Sequence, residues 1–268
     1  MIESLSKRTD YPSLLDYTYL NQASLGLIGT PAVEAMNDFL YNVARHGNLK
    51  MSDEQEVNFL NQLKRNIAKL LNAKEEHVAI MGSASEMLGQ LPYIFKPKKN
   101  TKIVAVSTDF PALTRPWVSY CKIHSCEMHF VQDDKSTNLT EQIIQAIDKR
   151  TAIVTVSLVQ FSTGTKIDIQ DLVAATKQAG AKLIIDITQA AGAIPISARN
   201  IDADVLVCSG YKWLGGHGGI GIALTSPEFL KKDPIMTGWM GAPDPFNMQA
   251  KQSSYSQDAR KYTMATMS

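Results

Sequence analysis

Six apolar runs punctuate the chain: HVAIMG at 77–82, KIVAVS at 102–107, AIVTVSLVQ at 152–160, KLIIDI at 182–187, DVLVCSG at 204–210 and GIGIALT at 219–225. Most are continuous rather than alternating, the pattern of strands covered on both faces. Between them, apolar residues return every three or four positions. Within 57–72, Phe59, Leu60, Leu63, Ile67, Leu70 and Leu71 fall on one helical stripe. Residues 141–149 and 169–180 also read as helices, the second stopping at Gly180 as a C-cap would. Pro31 opens a further helix over 31–46, and another follows Pro116. Strands separated by helices predict an α/β fold with a mostly parallel, mixed sheet and helices on both faces.

The two ends break this rhythm. Residues 1–30 read as an N-terminal arm, with a turn near 27–31, and 31–230 carry the strand–helix units of one large domain. The stretch 231–268 is rich in Gly, Pro, Ser and Met and reads as a connecting arm leading to a further, small C-terminal domain, not as a folding unit of its own.

Composition narrows the function classes. The chain has 268 residues, 44% of them hydrophobic, enough for a substantial core. A net charge of +1 offers no global attraction for nucleic acid. No stretch approaches the ~18 apolar residues of a membrane span, and MIESLSKRTDYPSLLDYTYL lacks the apolar core of a signal peptide. The three cysteines, Cys121, Cys126 and Cys208, are odd in number, form no CxxC and have no His pair beside them, so we expect free thiols, no metal site and a cytoplasmic protein.

Candidate chemistry gathers at the ends of the predicted strands, where open α/β sheets bind ligands. Lys212 follows DVLVCSG and precedes a glycine-rich run from Gly215 to Gly221. If desolvated, its amine can form a Schiff base; taken alone, a lysine is far more often a solvated surface residue. Asp186 interrupts the apolar run KLIIDI and needs a cationic or donor partner, or else caps the next helix. Gln189, three residues on, could aim at the same flat ligand. The turn Gly82-Ser83-Ala84-Ser85-Glu86 directly after HVAIMG starts a helix whose free amides and Ser85 hydroxyl suit a phosphate, while Ser83 and Glu86 also spell an ordinary capping box. Ser209 and Tyr211 add two hydroxyls beside Lys212. Phe110, after KIVAVS, could stack on a planar ring or be core. GSASEMLG does not supply the GxGxxG of a nucleotide-binding Rossmann domain.

The order of these segments resembles the class V aminotransferases, a family of fold-type I pyridoxal-phosphate enzymes that includes cysteine desulfurases, selenocysteine lyases, isopenicillin-N-epimerase-like proteins and kynureninases. YLNQASLGLIGTPAVEAM, GSASE, DFPALTRPW, VSLVQFSTGTKIDI, DITQAAG, SGYKWLGGHGGIG and GWMG carry the resemblance, DITQ and SGYKWL most specifically. It implies pyridoxal 5'-phosphate as cofactor, bound by Lys212 as a Schiff base, with Lys212 as general acid/base. Asp186 would pair with the pyridine nitrogen and Gln189 meet the ring hydroxyl. Ser83, Ala84, Ser85, Ser209 and Tyr211 would hold the phosphate, and Phe110 would stack on the ring. Asn21, Ala23 and Ser24 would lie near a small amino-acid substrate, and Gly238 and Trp239 near the interface of a homodimer. Tyr211, Phe110 and Phe161 stand where desulfurases often have His, His and Asn, a departure shared with the epimerase- and kynureninase-like branches. The carboxylate-binding arginine and mobile cysteine of the family's C-terminal domain have no counterpart in this sequence.

Overall fold

The computed structural model describes residues 6–133, 137–251 and 254–265. Its centre is a seven-stranded sheet: β1 (Val78–Met81), β2 (Lys102–Val106), β3 (Glu127–Val131), β4 (Thr151–Ser157), β5 (Lys182–Asp186), β6 (Val205–Ser209) and β7 (Gly221–Thr225). The strand order is β1-β7-β6-β5-β4-β2-β3. β2 pairs in parallel with β3 and β4, β4 with β5, and β5 with β6; β7 alone runs against its neighbours, antiparallel to β1 and β6. The six predicted strands are all present. β3 is an addition at the sheet edge.

Among the described residues, eight α-helices accompany the sheet: α1 (Ser13–Asp16), α2 (Thr30–His46), α3 (Asp53–Leu70), α4 (Ala84–Phe95), α5 (Pro111–His124), α6 (Leu139–Gln145), α7 (Ile169–Ala179) and α8 (Pro227–Leu230). Local chemistry sets several boundaries. Ser52 and Gln55 form a reciprocal capping box that starts α3 before the apolar stripe begins. Gly180, at φ 71°, ends α7 as expected. α5 begins at Pro111, ahead of Pro116, because proline is tolerated in a first turn. α6 stops at Gln145, short of the expected 149.

Each face of the sheet has its own core. One includes Leu60, Ile67, Val104, Val154, Leu172, Ile185 and Leu206; the other includes Met87, Leu91, Ile103, Trp117, Ile184, Phe229 and Tyr262. Two layers of apolar cover explain why the strands lack alternation. The α3 stripe is rotated from the sequence expectation: Lys64 is buried, bonding Asp258 at 2.6 Å, while Phe59 is exposed and stacks on Phe39 of α2. α2 itself buries no residue. The segment after α8 is packed against the body, with Tyr262 fully buried and the Thr263 hydroxyl donating to the Ile80 carbonyl at 2.8 Å.

Candidate active site

Asp186 is the last residue of β5, and the paired β6 ends at Ser209 with Tyr211 and Lys212 just beyond. The parallel ladder therefore delivers the carboxylate and the amine to one sheet edge. Asp186 is buried. Its Oδ1 accepts the Thr188 amide at 2.7 Å, and the Thr188 side chain bonds the same carboxylate. The Thr188 hydroxyl oxygen also accepts the Ser209 amide at 3.0 Å, tying the ends of β5 and β6 together. Burial pushes the Asp186 carboxyl upward; the Thr188 donors and the charge of Lys212 oppose it.

Lys212 is only 7% exposed, which rules out the solvated-lysine reading. Its Nζ lies 5.2 Å from the centre of the Phe110 ring and 5.8 Å from that of Tyr211. Burial lowers its pKa below the ordinary 10.5, against the pull of Asp186 and then of Cys208. A less protonated, partly desolvated amine is the form that attacks a carbonyl. Phe110 sits at the start of α5, 40% exposed, with its ring edge-on to Phe161 at 5.5 Å. It is thus a rim aromatic rather than core.

The phosphate-type turn comes to the same edge. Ser83 caps α4, its Oγ accepting the Glu86 amide at 3.2 Å. The Glu86 carboxylate takes the Gly82 amide at 3.1 Å instead of the Ser83 amide, so only half of the expected box forms. Ala84 is buried and Ser85 exposed at the first turn, where backbone amides have no intrahelical acceptor. A methyl on Gly221 would overlap the backbone of Ser83 and Ala84, so a glycine is what lets β7 start against this turn. Gly221 is also the register partner of Ser209, which places Ser209 one strand away from the α4 terminus.

The N-terminal arm closes over the Lys212 turn. The Gly26 amide donates to the Tyr211 carbonyl at 2.9 Å, Gln22 Nε2 to the Lys212 carbonyl at 3.1 Å, and Gln189 Nε2 to the Ala23 carbonyl at 2.9 Å. Ala23 is thereby brought to the buried Gln189, while Asn21 and Ser24 lie exposed on the same turn. Gly238 packs against the backbone of Met264, and Trp239 meets Phe246 edge-on, so these two belong to the packing of the tail.

Three polar residues at this edge were not singled out by the sequence pattern: Thr188, Trp213 and Asp109. Trp213 Nε1 donates to Gln189 Oε1 at 2.7 Å. Asp109, next to Phe110, accepts the Ser157 amide at 3.1 Å and Gln160 Nε2 at 2.9 Å through Oδ1, while its buried Oδ2 has no partner. Burial raises its carboxyl to about 6, opposed by the Ser157 and Gln160 bonds, with the negative charge of Asp186 adding to the rise. The signal for Asp109 lay in its position just after KIVAVS, the same strand-end context that marked Asp186. All three cysteines are free thiols; Cys208 lies buried in β6, and burial pushes the Cys121 thiol up to about 12.

Comparison with known proteins places these features in context. A family model described as aminotransferase class-V matches residues 18–257. A probable cysteine desulfurase of Pyrococcus abyssi is 25% identical over 239 residues, covering 86% of this chain and 59% of that protein. A kynureninase of Scheffersomyces stipitis is 30% identical over 263 residues, covering 87% of this chain and 57% of that protein. The chain thus spans under three fifths of these curated relatives. Among solved structures, the cystine C-S lyase C-DES in complex with cysteine persulfide superposes with a TM-score of 0.86 at 17% identity, over 96% of this chain and 69% of that one. The apo cysteine desulfurase of Thermococcus onnurineus NA1 gives 0.84 at 20% identity, over 99% and 68%. These likenesses establish a shared fold.

Proposed function

The chain belongs to the aminotransferase class-V family, and from that premise we propose that it is part or all of an enzyme that uses pyridoxal 5'-phosphate (PLP) to act on a small amino acid. The cofactor is the family's, and the residues at the sheet edge suit it. A buried amine faces an aromatic ring at 5.2 Å, a buried carboxylate lies within electrostatic reach, and a capped helix N-terminus adjoins the next strand. The juxtaposition of Lys212 and Asp186 at the ends of β6 and β5 carries the reading.

Bound PLP supplies an electron sink for charge developed at the substrate α-carbon. Lys212 would hold the cofactor through Nζ and, when released, carry the α-proton. Asp186, with the Thr188 amide bonded to its Oδ1, would pair with the ring nitrogen and hold it protonated. Ser83, Ala84, Ser85, Ser209 and Tyr211 would bind the phosphate, with Phe110 against the ring face. Ala23, Asn21 and Ser24 would line the substrate side. The unburied α2, with Phe39, Leu40 and Tyr41 exposed, supports a homodimer. The arm–domain–arm division at 30 and 230 remains our proposed organisation.

Within the family we favour an aminotransferase or a cysteine/selenocysteine lyase-like reaction. Phe110 and Tyr211 in place of histidines favour kynureninase- or epimerase-like chemistry as the alternative. The second reading is a PLP-binding or dimerisation module, which PLP uptake without turnover of any amino acid would support. The test is borohydride reduction of the PLP-treated protein, followed by mapping of the modified residue. Label on Lys212 and its loss in Lys212→Ala are expected; equal labelling of Lys212→Ala rejects the assignment. Assays with cysteine, selenocysteine, alanine and kynurenine then separate the reaction branches.

A further inference from the structure

Gln189 is 8% exposed, and both ends of its amide are bonded. Trp213 Nε1 donates to Oε1 at 2.7 Å, and Nε2 donates to the Ala23 carbonyl at 2.9 Å. An indole N–H can only donate and a backbone carbonyl can only accept, so the amide has one permissible orientation. Turned over, it would set donor against donor at Trp213 and acceptor against acceptor at Ala23. The nitrogen end keeps one further hydrogen, which demands an acceptor from whatever it meets.

We propose that Trp213 is a positioning residue: it locks the Gln189 amide so that the nitrogen end, not the oxygen, is presented to the ring oxygen of bound PLP. This rests on the reading of Lys212 as the cofactor lysine. The lock also explains why the residue after that lysine is an indole, since Trp213 reaches back across the turn to a side chain of the preceding strand end. The same amide holds Ala23, so the cofactor ring and the substrate-side arm share one polar anchor. A hydrogen-bond donor at the ring oxygen stabilises its anionic form and so lowers the pH at which the bound chromophore titrates.

The test is Trp213→Phe, which removes the N–H and keeps an aromatic ring. The indole borders a cavity of about 680 Å3, so trimming it disturbs little packing. Wild type, Trp213→Phe, Gln189→Ala and the double variant are reconstituted with PLP. Two quantities are measured: the PLP dissociation constant, and the pH midpoint of the visible absorbance of bound PLP. Trp213→Phe is expected to weaken PLP about three- to tenfold, the effect of one hydrogen bond, and to raise the midpoint. Adding it to Gln189→Ala should change neither. Trp213→His, which keeps a ring N–H, should restore both quantities at least in part and covers the case in which the phenylalanine variant fails to fold.

An equal loss in the Gln189→Ala background, an unmoved midpoint in Trp213→Phe, or equal defects in the Phe and His variants overturns the positioning role while leaving the Lys212 reading intact. A wild-type protein that takes up no PLP overturns both.

Discussion

The amide of Gly26 donates to the carbonyl of Tyr211 at 2.9 Å, fastening the N-terminal arm to the residue that precedes the candidate cofactor lysine. The approach is so close that a methyl at position 26 would overlap the Lys212 carbonyl oxygen. Backbone cannot yield as a flexible side chain can. Gly26→Ala should therefore displace either the arm or the Lys212 turn, destabilising the protein by about 1–3 kcal/mol and weakening PLP uptake. Gly29→Ala is the control, since its added methyl would meet only Tyr11 and Asp10 at ordinary contact distance. Thermal melts and PLP titrations of the two variants check this; matching behaviour would mean that the arm does not set the turn.

Asp186 offers a separation of stability from function. Its carboxyl is raised chiefly by burial, so in the absence of PLP the ionised form is held at a cost. Asp186→Asn keeps the shape and removes that charge. The apo variant should melt higher than wild type at pH 7.5, while turnover of the PLP-loaded form should fall about 100- to 1,000-fold, the scale of losing one electrostatic partner of the reacting group. A variant that loses activity and melts lower would assign Asp186 to the fold instead.

Much of this arrangement can be read from the chain because charge stands out against apolar strands. Asp186 and Lys212 were legible at the ends of KLIIDI and DVLVCSG for that reason, and their burial follows from the layers covering β5 and β6. β3 was not legible. It lies at the sheet edge, and of Glu127–Val131 only Val131 is buried, so its sequence EMHFV carries no continuous apolar run. Thr188 and Trp213 are illegible for a different reason. Their significance lies in partners supplied by other segments, Ser209 for Thr188 and Gln189 for Trp213, and periodicity holds no record of such pairings. Phe59 shows the same limit within a helix: its spacing fits the stripe of α3, but the facing element is Phe39 rather than the sheet.

Asp109 makes a prediction about acidity. Its carboxyl is raised from 3.8 to about 6 in the folded protein, mainly because Oδ2 is buried without a donor. Between those two values the folded chain holds a proton that the unfolded chain releases, so unfolding stability falls as pH rises through the window. Above about pH 6 the penalty is complete, on the order of 3 kcal/mol for a shift of this size; below about pH 4 it vanishes because both states are protonated. Asp109→Asn retains the acceptor for Ser157 and Gln160 and abolishes the ionisation. The apo variant should therefore melt above wild type at pH 7.5, by about 2–4 °C for each kcal/mol recovered. The advantage should shrink steadily towards pH 4, where the two proteins should converge. Melting curves of both proteins across pH 4–8 decide the matter: a difference independent of pH would show that Asp109 does not titrate in this range, and a variant less stable at pH 7.5 would show that the folded protein needs its charge.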